Sequence, residues 1–189
     1  MNEKEHGDLS ALLESLKEIC SGVTAGSKEL KDKLIADLEE RLKHYFFFVR
    51  RFVTRDFESN TGMSFGKWIE FADKLSRNFD EISNAVQKLY DCHSKGELER
   101  TPERIDELEQ AAKPFLDDYE DTIKSLSKLQ KWLAAVPEAV KSVPPGFMSA
   151  EDKRIAIEES PEAVADLQKF IEALEEANTK ILTIKKLKE

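Results

Sequence analysis

The stretch that decides the fold is Ser64–Ser94, with the sequence SFGKWIEFADKLSRNFDEISNAVQKLYDCHS. At 100° per residue, its apolar side chains fall on one face about 100° wide, which is the pattern of an amphipathic helix. The residues on this face are Trp68, Phe71, Ala72, Leu75, Phe79, Ile82, Val86, Leu89 and Tyr90. We therefore predict a long helix that begins near Ser64, ends around Ser94-Lys95-Gly96 and buries one face.

Two helices are predicted on the N-terminal side of this stretch. The first runs from about Asp8 to Ser21, where Gly22 closes it. The second begins at Ser27, a residue type that caps helix N-termini, and continues to about Asp56. Asn60-Thr61-Gly62 then separates it from the segment that starts at Ser64.

The C-terminal half is interrupted by prolines, which predict where its helices begin and end. Thr101-Pro102 starts a helix that we expect to kink or break near Ala112, because Pro114 removes a backbone donor. That helix is expected to end before Pro137. A short helix follows from Ser149, and Ser160-Pro161 then caps a last helix that runs to about Lys186.

These segments predict an all-α fold, an up-and-down antiparallel bundle of five or six helices. Only 7 Gly and 6 Pro occur in 189 residues, and an all-β fold needs more of these turn-forming residues. We expect one helical-bundle domain over residues 1–189. Its strongest break is Val143-Pro144-Pro145-Gly146 at 143–146, before the C-terminal helices.

The net charge of −9 disfavours general nucleic-acid binding, because phosphate contacts need clustered Lys and Arg. The charge is uneven along the chain. Residues 41–77 contain 8 basic and 4 acidic residues, a balance of +4, whereas 97–121 contain 3 basic and 10 acidic residues, a balance of −7. The two segments are expected to attract each other or a partner of opposite sign. The acidic segment 97–121 also suits a nucleic-acid mimic that occupies a basic groove.

We find no catalytic, metal-binding or cofactor motif and predict no catalytic residue, no metal, no cofactor and no enzymatic activity. Cys92 and His93 are adjacent, so on a helix their side chains point about 100° apart. Cys20 and Cys92 fall at or beside apolar helix positions, where a free cysteine acts as a small hydrophobe.

The least ordinary feature is the aromatic-basic run from His44 to Phe57, HYFFFVRRFVTRDF. On a wheel, Phe47 lies within a basic stripe. We take this stripe, formed by Lys43, Phe47, Arg50, Arg51 and Arg55, as the candidate partner-binding site. Aromatic and Arg side chains are common interface hot spots. Two alternative roles of the run stay open: a central helix buried on several sides, and a surface for anionic membrane or single-stranded nucleic acid.

The function we predict is a non-enzymatic protein–protein interaction module, meaning an adaptor, accessory subunit or inhibitor that presents helix faces to a protein partner. One alternative is a carrier of a hydrophobic small molecule in the bundle core, with Tyr45, Trp68 and Tyr90 supplying polar tips. Another is a helical enzyme with an unrecognised site.

The ends of the chain give the remaining expectations. The polar N-terminus contains no signal peptide, and no transmembrane segment is expected, so we predict a cytoplasmic protein. Proteins that are injected by a secretion apparatus or exported by a non-classical route also lack a signal peptide, so these routes stay open. Near the C-terminus, Leu167, Ile171, Leu174, Asn178 and Ile181 have alternating spacings of three and four. This pattern leaves open a homo-oligomer through the C-terminal helix.

Overall fold

The computed structural model describes the backbone of residues 3–43 and 47–188 and the side chains of residues 7–40 and 54–188. It is 90% helical, and the described residues contain no strand. Its helices pack against each other as a bundle, which confirms the predicted all-α class.

The elements follow one another with short connections. They are α1 (Glu3–Glu29), a π-helical segment (Leu30–Ala36), α2 (Asp37–Lys43), α3 (Phe47–Thr61), α4 (Phe65–Ser94), a 3₁₀ turn (Leu98–Arg100), α5 (Thr101–Asp117), α6 (Tyr119–Lys141) and α7 (Ala150–Lys186). Because α1, the π-helical segment and α2 join without a break, the described residues form six helical runs, within the predicted five or six.

The chain divides into two compact units. Unit 1 comprises residues 1–27, 74–119 and 172–189. In it, Lys74 contacts Asp118 at 2.9 Å and Lys88 contacts Glu107 at 3.9 Å, so α4 and the α5 region run antiparallel. Its core is a set of fully buried side chains from four helices: Leu9, Leu13, Leu16, Phe79, Ile82, Leu89, Ile105, Leu108, Phe115, Leu174 and Ile184.

Unit 2 comprises residues 28–73 and 120–171. Lys31 of the π-helical segment pairs with Asp73 of α4 at 3.1 Å. The Gln130 side-chain amide of α6 donates to Oε1 of Gln168 on α7 at 2.8 Å. Whether the two units form a single domain, as the sequence predicts, stays a prediction.

The predicted boundary at Gly22 and Ser27 is wrong, because α1 continues through both residues to Glu29. Glycine in a helix interior costs only about 1 kcal/mol, and burial of Val23 and Leu30 on the same face offsets that cost. Ser27 is itself buried, and its hydroxyl donates to the carbonyl of Val23 at 2.8 Å instead of capping a new helix.

Three predicted effects of proline are also wrong in position. Pro137 lies inside α6, which continues to the buried Val140, and Pro161 lies inside α7. Pro114 lies inside α5, and the break comes at Asp118, where the backbone leaves the helical region (φ −95°, ψ 3°), and not near Ala112. A kink near Ala112, the other effect expected from Pro114, stays a prediction. Buried residues lie on both sides of Pro114 and Pro137, and their packing outweighs the single hydrogen bond that each of these prolines removes.

The apolar face of α7 is covered by the chain itself. Leu174 and Ile181 are buried within unit 1, and so is Ala177. Asn178, the expected polar seam residue, is only half-buried, because Ala177 occupies the inward position. The homo-oligomer through this helix stays a prediction.

Candidate functional site

The predicted binding residues lie on α2 and α3, and the structure describes the side chain of one of them. Arg55 is exposed on α3. Lys43 is the last residue of α2, and Phe47 is the first residue of α3. The side chains of Lys43, Phe47, Arg50 and Arg51 lie outside the described residues, so the stripe that they form stays a prediction.

An aromatic cluster fixes the second half of α3 within unit 2. The Phe57 ring is fully buried and stacks on Phe65 of α4, with ring centroids 4.1 Å apart and an interplanar angle of 8°. The Trp132 ring of α6 meets Phe57 edge to face at 4.9 Å and 88°. One side chain therefore joins three helices, and the orientation of α3 follows from it.

A buried polar contact supports this cluster. The indole Nε1–H of Trp68 donates to Oγ1 of Thr61 at 3.1 Å, and the Thr61 hydroxyl donates to the carbonyl of Phe57 at 2.7 Å. Trp68 and Thr61 are both buried. The last turn of α3 is thus tied to the first turn of α4 by a bond that water cannot replace.

We expect Thr61→Val to lower the free energy of unfolding by about 1 kcal/mol, because it leaves the buried indole N–H without an acceptor. Thr61→Ser keeps the hydroxyl and serves as the control. Chemical denaturation followed by tryptophan fluorescence measures both. In a double-mutant cycle, the variant that carries both Thr61→Val and Trp68→Phe should lose less stability than the sum of the losses in the two single variants. If the two single losses of stability simply added up in the double variant, the two side chains would not interact.

The outward side of α3 and α6 carries cations. Asp56 accepts a hydrogen bond from Nε1–H of Trp132 at 3.0 Å, and the preceding residues on the two helices are Arg55 and Lys131. Nζ of Lys128 would lie 3.9 Å from a Cβ placed on Gly62, which puts this ammonium beside the end of α3. The partial negative charge of a helix C-terminus attracts a cation there.

We call Arg55, Lys124, Lys128 and Lys131 the α3–α6 basic face. All four side chains are exposed. The three lysines follow an i, i+4, i+7 spacing, so they lie on one side of α6. Within the part of the chain that the structure describes, no carboxylate lies within 4.0 Å of any of the four cations.

The acidic segment 97–121 contrasts with this face. Six of its ten carboxylates contact a cation of unit 1: Glu97, Asp106, Glu107, Glu109, Asp117 and Asp118. The cations include Lys74 and Lys88 of α4 and Lys185 of α7. Much of the segment is thus balanced internally, and its role as a nucleic-acid mimic stays a prediction.

Charge is divided unequally between the units. Unit 1 contains 13 Lys and Arg against 20 Asp and Glu, a balance of −7. Unit 2 contains 16 against 18, a balance of −2. The α3–α6 basic face therefore belongs to the nearly neutral unit, where the repulsion of an acidic partner is weakest.

The two cysteines of the chain are free thiols and both are buried. No group of three or more His, Cys, Asp and Glu side chains among the described residues could hold a metal ion. Burial raises the pKa of Cys20 to about 12, which keeps this thiol protonated and poorly nucleophilic. Cys92 is buried, and its Sγ–H donates to the carbonyl of Glu97 at 3.2 Å.

Two of the three side chains expected to offer polar groups to a bound small molecule already form hydrogen bonds within the chain. The Trp68 indole donates to Thr61, and the Tyr90 hydroxyl donates to Oε1 of Glu14 at 3.3 Å. Lys17 lies 4.6 Å above the centre of the Tyr90 ring. Tyr45 lies outside the described residues.

Comparison with known proteins gives no further guide to this surface. No protein-family model and no curated protein matches the chain. No helix in the described part of the chain is both long and apolar enough to cross a membrane. The function is therefore inferred from the geometry of unit 2.

Sequence reasoning selected Arg55 but missed the three lysines of α6. The signal was present, since Lys124, Lys128 and Lys131 repeat at the spacing of one helix face. A lysine stripe is ordinary on a solvated helix, so this spacing alone does not indicate a binding site. The packing of α6 against α3 through Trp132 places the helix that carries these lysines beside the helix that carries Arg55.

Proposed function

We propose that this protein is a non-enzymatic, cytoplasmic protein–protein interaction module, an adaptor, accessory subunit or inhibitor that presents helix faces to a protein partner. The observation that carries the proposal is the α3–α6 basic face, whose four exposed cations have no carboxylate within 4.0 Å among the described residues. Such a face fits an acidic surface of the partner, because opposite potentials steer association and fix orientation.

The rigidity of the support favours binding. Phe57, Phe65 and Trp132 hold α3 and α6 together, so the backbone positions that carry the outward charges keep a constant spacing. A preorganised surface loses less conformational entropy on association than a mobile one. Arg55 also extends the face toward the predicted stripe of Phe47, Arg50 and Arg51, which would supply the aromatic anchor of the same interface.

Affinity purification from the native host with the full chain as bait, followed by mass spectrometry, tests the proposal. We expect Lys128→Glu with Lys131→Glu to lower recovery of the partner by about tenfold, since each reversal replaces an attraction by a repulsion. Raising the ionic strength should also weaken capture by the unmodified chain. Phe47→Ala with Arg51→Glu is expected to act in the same direction.

The matched control is Lys95→Glu with Lys186→Glu in unit 1. Both lysines are exposed, and no carboxylate among the described residues lies within 4.0 Å of either one, so the control makes the same change of net charge away from the α3–α6 basic face. The control should retain the partner. Equal recovery by the unmodified chain and by the α6 variant would remove the α3–α6 basic face from the interface.

A further inference from the structure

Helices α6 and α7 lie side by side within unit 2 and run in opposite directions. Close to the turn that joins them, Nζ of Lys153 donates to the carbonyl of Val143 at 3.0 Å. Further from the turn, the Gln130 amide donates to the carbonyl of Val164 at 3.4 Å and to Oε1 of Gln168 at 2.8 Å. Each step toward the N-terminus of α6 therefore corresponds to one step toward the C-terminus of α7.

The outward sides of these two helices carry complementary runs of charge. Along α6 the order is one acid followed by three bases, and along α7 it is one base followed by three acids. The members, all exposed, are Glu120, Lys124, Lys128 and Lys131 on α6 and Arg154, Glu158, Glu162 and Asp166 on α7. Spacings of three and four keep each run on one side of its helix. We call these eight residues the α6–α7 charged face.

The two runs match residue by residue when α6 of one copy of the chain is laid parallel to α7 of a second copy. An offset of 34 positions places Glu120 opposite Arg154, Lys124 opposite Glu158 and Lys128 opposite Glu162, and one further position places Lys131 opposite Asp166. All four pairs join opposite charges. At this offset, no like charges face each other between positions 120 and 135 of α6.

This alignment is compatible with a two-fold dimer. In such a dimer α6 of each copy lies on α7 of the other, so every pair occurs twice. The contacts of Gln130 place Lys131 level with about residue 165 of its own chain, which is also the residue 34 positions further on. The two-fold axis therefore passes between Lys131 and Ala165. That point lies within both helices, so the two sets of pairs form one continuous surface.

Small side chains near this axis allow two copies to approach closely. Ala134 and Ala135 of α6 and Ala165 of α7 are exposed. From Glu120 to the axis is about 16 Å along α6, so the two sets of pairs together extend over about 33 Å. With two helices about 20 Å wide, the dimer buries roughly 1,300 Å² in total, which lies within the range of specific interfaces.

The central charges of the face are available to a second copy. Among the described residues, no cation lies within 4.0 Å of the Glu162 or Asp166 carboxylate, and the lysines of α6 likewise have no carboxylate within that distance. Arg154 and Glu158 contact each other at 2.6 Å. An exposed pair of this kind contributes little stability, so both groups can also face charges of a second copy.

We infer that two copies of this chain associate through the α6–α7 charged face in a two-fold dimer. The three lysines of α6 belong both to this face and to the α3–α6 basic face. The dimer and the protein partner thus bind at overlapping sites, and only this overlap rests on the proposed function. The dimer itself requires no partner, so the purified chain alone tests it.

Sedimentation equilibrium of the purified full chain measures the association. We expect a dimer at about 0.05 M salt and a dissociation constant about tenfold or more higher at about 0.5 M, because the ion pairs are exposed to counterions. A chain that stays monomeric at about 0.1 mM and low salt has no interface of useful affinity, and the inference then fails.

Charge reversal on one helix at a time gives the sharper test. Lys128→Glu with Lys131→Glu makes the centre of the face acidic, and Glu162→Lys with Asp166→Lys makes it basic. Each variant alone should be monomeric, with a dissociation constant at least about 100-fold higher, because like charges then face each other. Mixed in equal amounts, the two variants should form a heterodimer with nearly the affinity of the unmodified chain, since the reversed helix of one faces the reversed helix of the other.

Lys95→Glu with Lys186→Glu is again the matched control, since it makes the same change of net charge in unit 1 and should leave the dimer intact. A dimer that survives both reversals places the interface elsewhere, for example at the predicted C-terminal seam, and overturns the inference. Variants that stay monomeric after mixing overturn it too, because complementary charges then fail to pair. Either result leaves the proposed function standing, since capture of a protein partner is measured separately.

Circular dichroism of each variant verifies that the reversed side chains leave the helices folded. All of the substituted residues are exposed, so unchanged helix content is the expected result. Recovery of the dimer on mixing gives the same assurance by a second route, because unfolded chains cannot pair in a defined register.

Discussion

Phe57→Ala is expected to lower the free energy of unfolding by about 3 to 5 kcal/mol. The ring is fully buried between Phe65 and Trp132, so its removal loses the transfer free energy of the side chain and leaves a cavity among three helices. It also removes one stacked and one edge-to-face contact, each worth about 0.5 to 1.5 kcal/mol beyond area burial. Among the described residues, no other aromatic ring contacts both Phe65 and Trp132.

Tryptophan fluorescence is the appropriate measurement, because both tryptophans of the chain, Trp68 and Trp132, belong to unit 2. Urea denaturation followed at this signal reports on the unit that contains Phe57. Phe147→Ala is the matched control: it makes the same substitution at an exposed site and should change stability by less than about 1 kcal/mol. Equal losses in the two variants would mean that Phe57 does not hold α3 in place.

Pro161→Ala is expected to raise the free energy of unfolding by about 2 kcal/mol. Proline in a helix interior is about 3 kcal/mol less favourable than alanine, and the greater freedom of the unfolded alanine chain returns about 0.4 to 1 kcal/mol of that gain. Pro161 is exposed inside α7, so the substitution sacrifices little packing. The new N–H can donate to the carbonyl of Ile157, four residues earlier.

Pro102→Ala provides the comparison, because Pro102 lies in the first turn of α5, where no intrahelical donor is missing. Its effect on stability should stay within about 0.5 kcal/mol. Circular dichroism during thermal unfolding follows both variants. If Pro161→Ala proved neutral or destabilising, α7 would not be continuous through this residue.

The sequence predicts elements well where burial and periodicity agree. The helix expected from Ser64 is α4, and its stripe is the buried face that includes Trp68, Phe79 and Leu89. Local signals fail where packing overrides them. Ser27 is a residue type that caps helices and Pro137 is one that ends them, yet each lies inside a helix between buried residues. Pro161 also lies inside a helix, and burial does not account for it.

The candidate site was only partly predictable for a related reason. Arg55 is predicted as a binding residue because it lies in the aromatic-basic run from His44 to Phe57. Lys128 and Lys131 have ordinary neighbours in sequence. They become part of the candidate site because Trp132 packs α6 against α3. Contacts between residues 56 and 132 cannot be read from helical periodicity, since a wheel describes one helix at a time.

The π-helical segment Leu30–Ala36 changes the phase of the first helical run. Leu30 and Ile35 are both buried although they are five positions apart, and on an α-helix that spacing would place them about 140° from each other. The wider i→i+5 turn brings them to one side by accommodating one surplus residue. Every later position of this run is therefore rotated by about one residue, or 100°, relative to a wheel drawn from α1. The inward side of α2 therefore cannot be read from the leucines that precede the surplus residue.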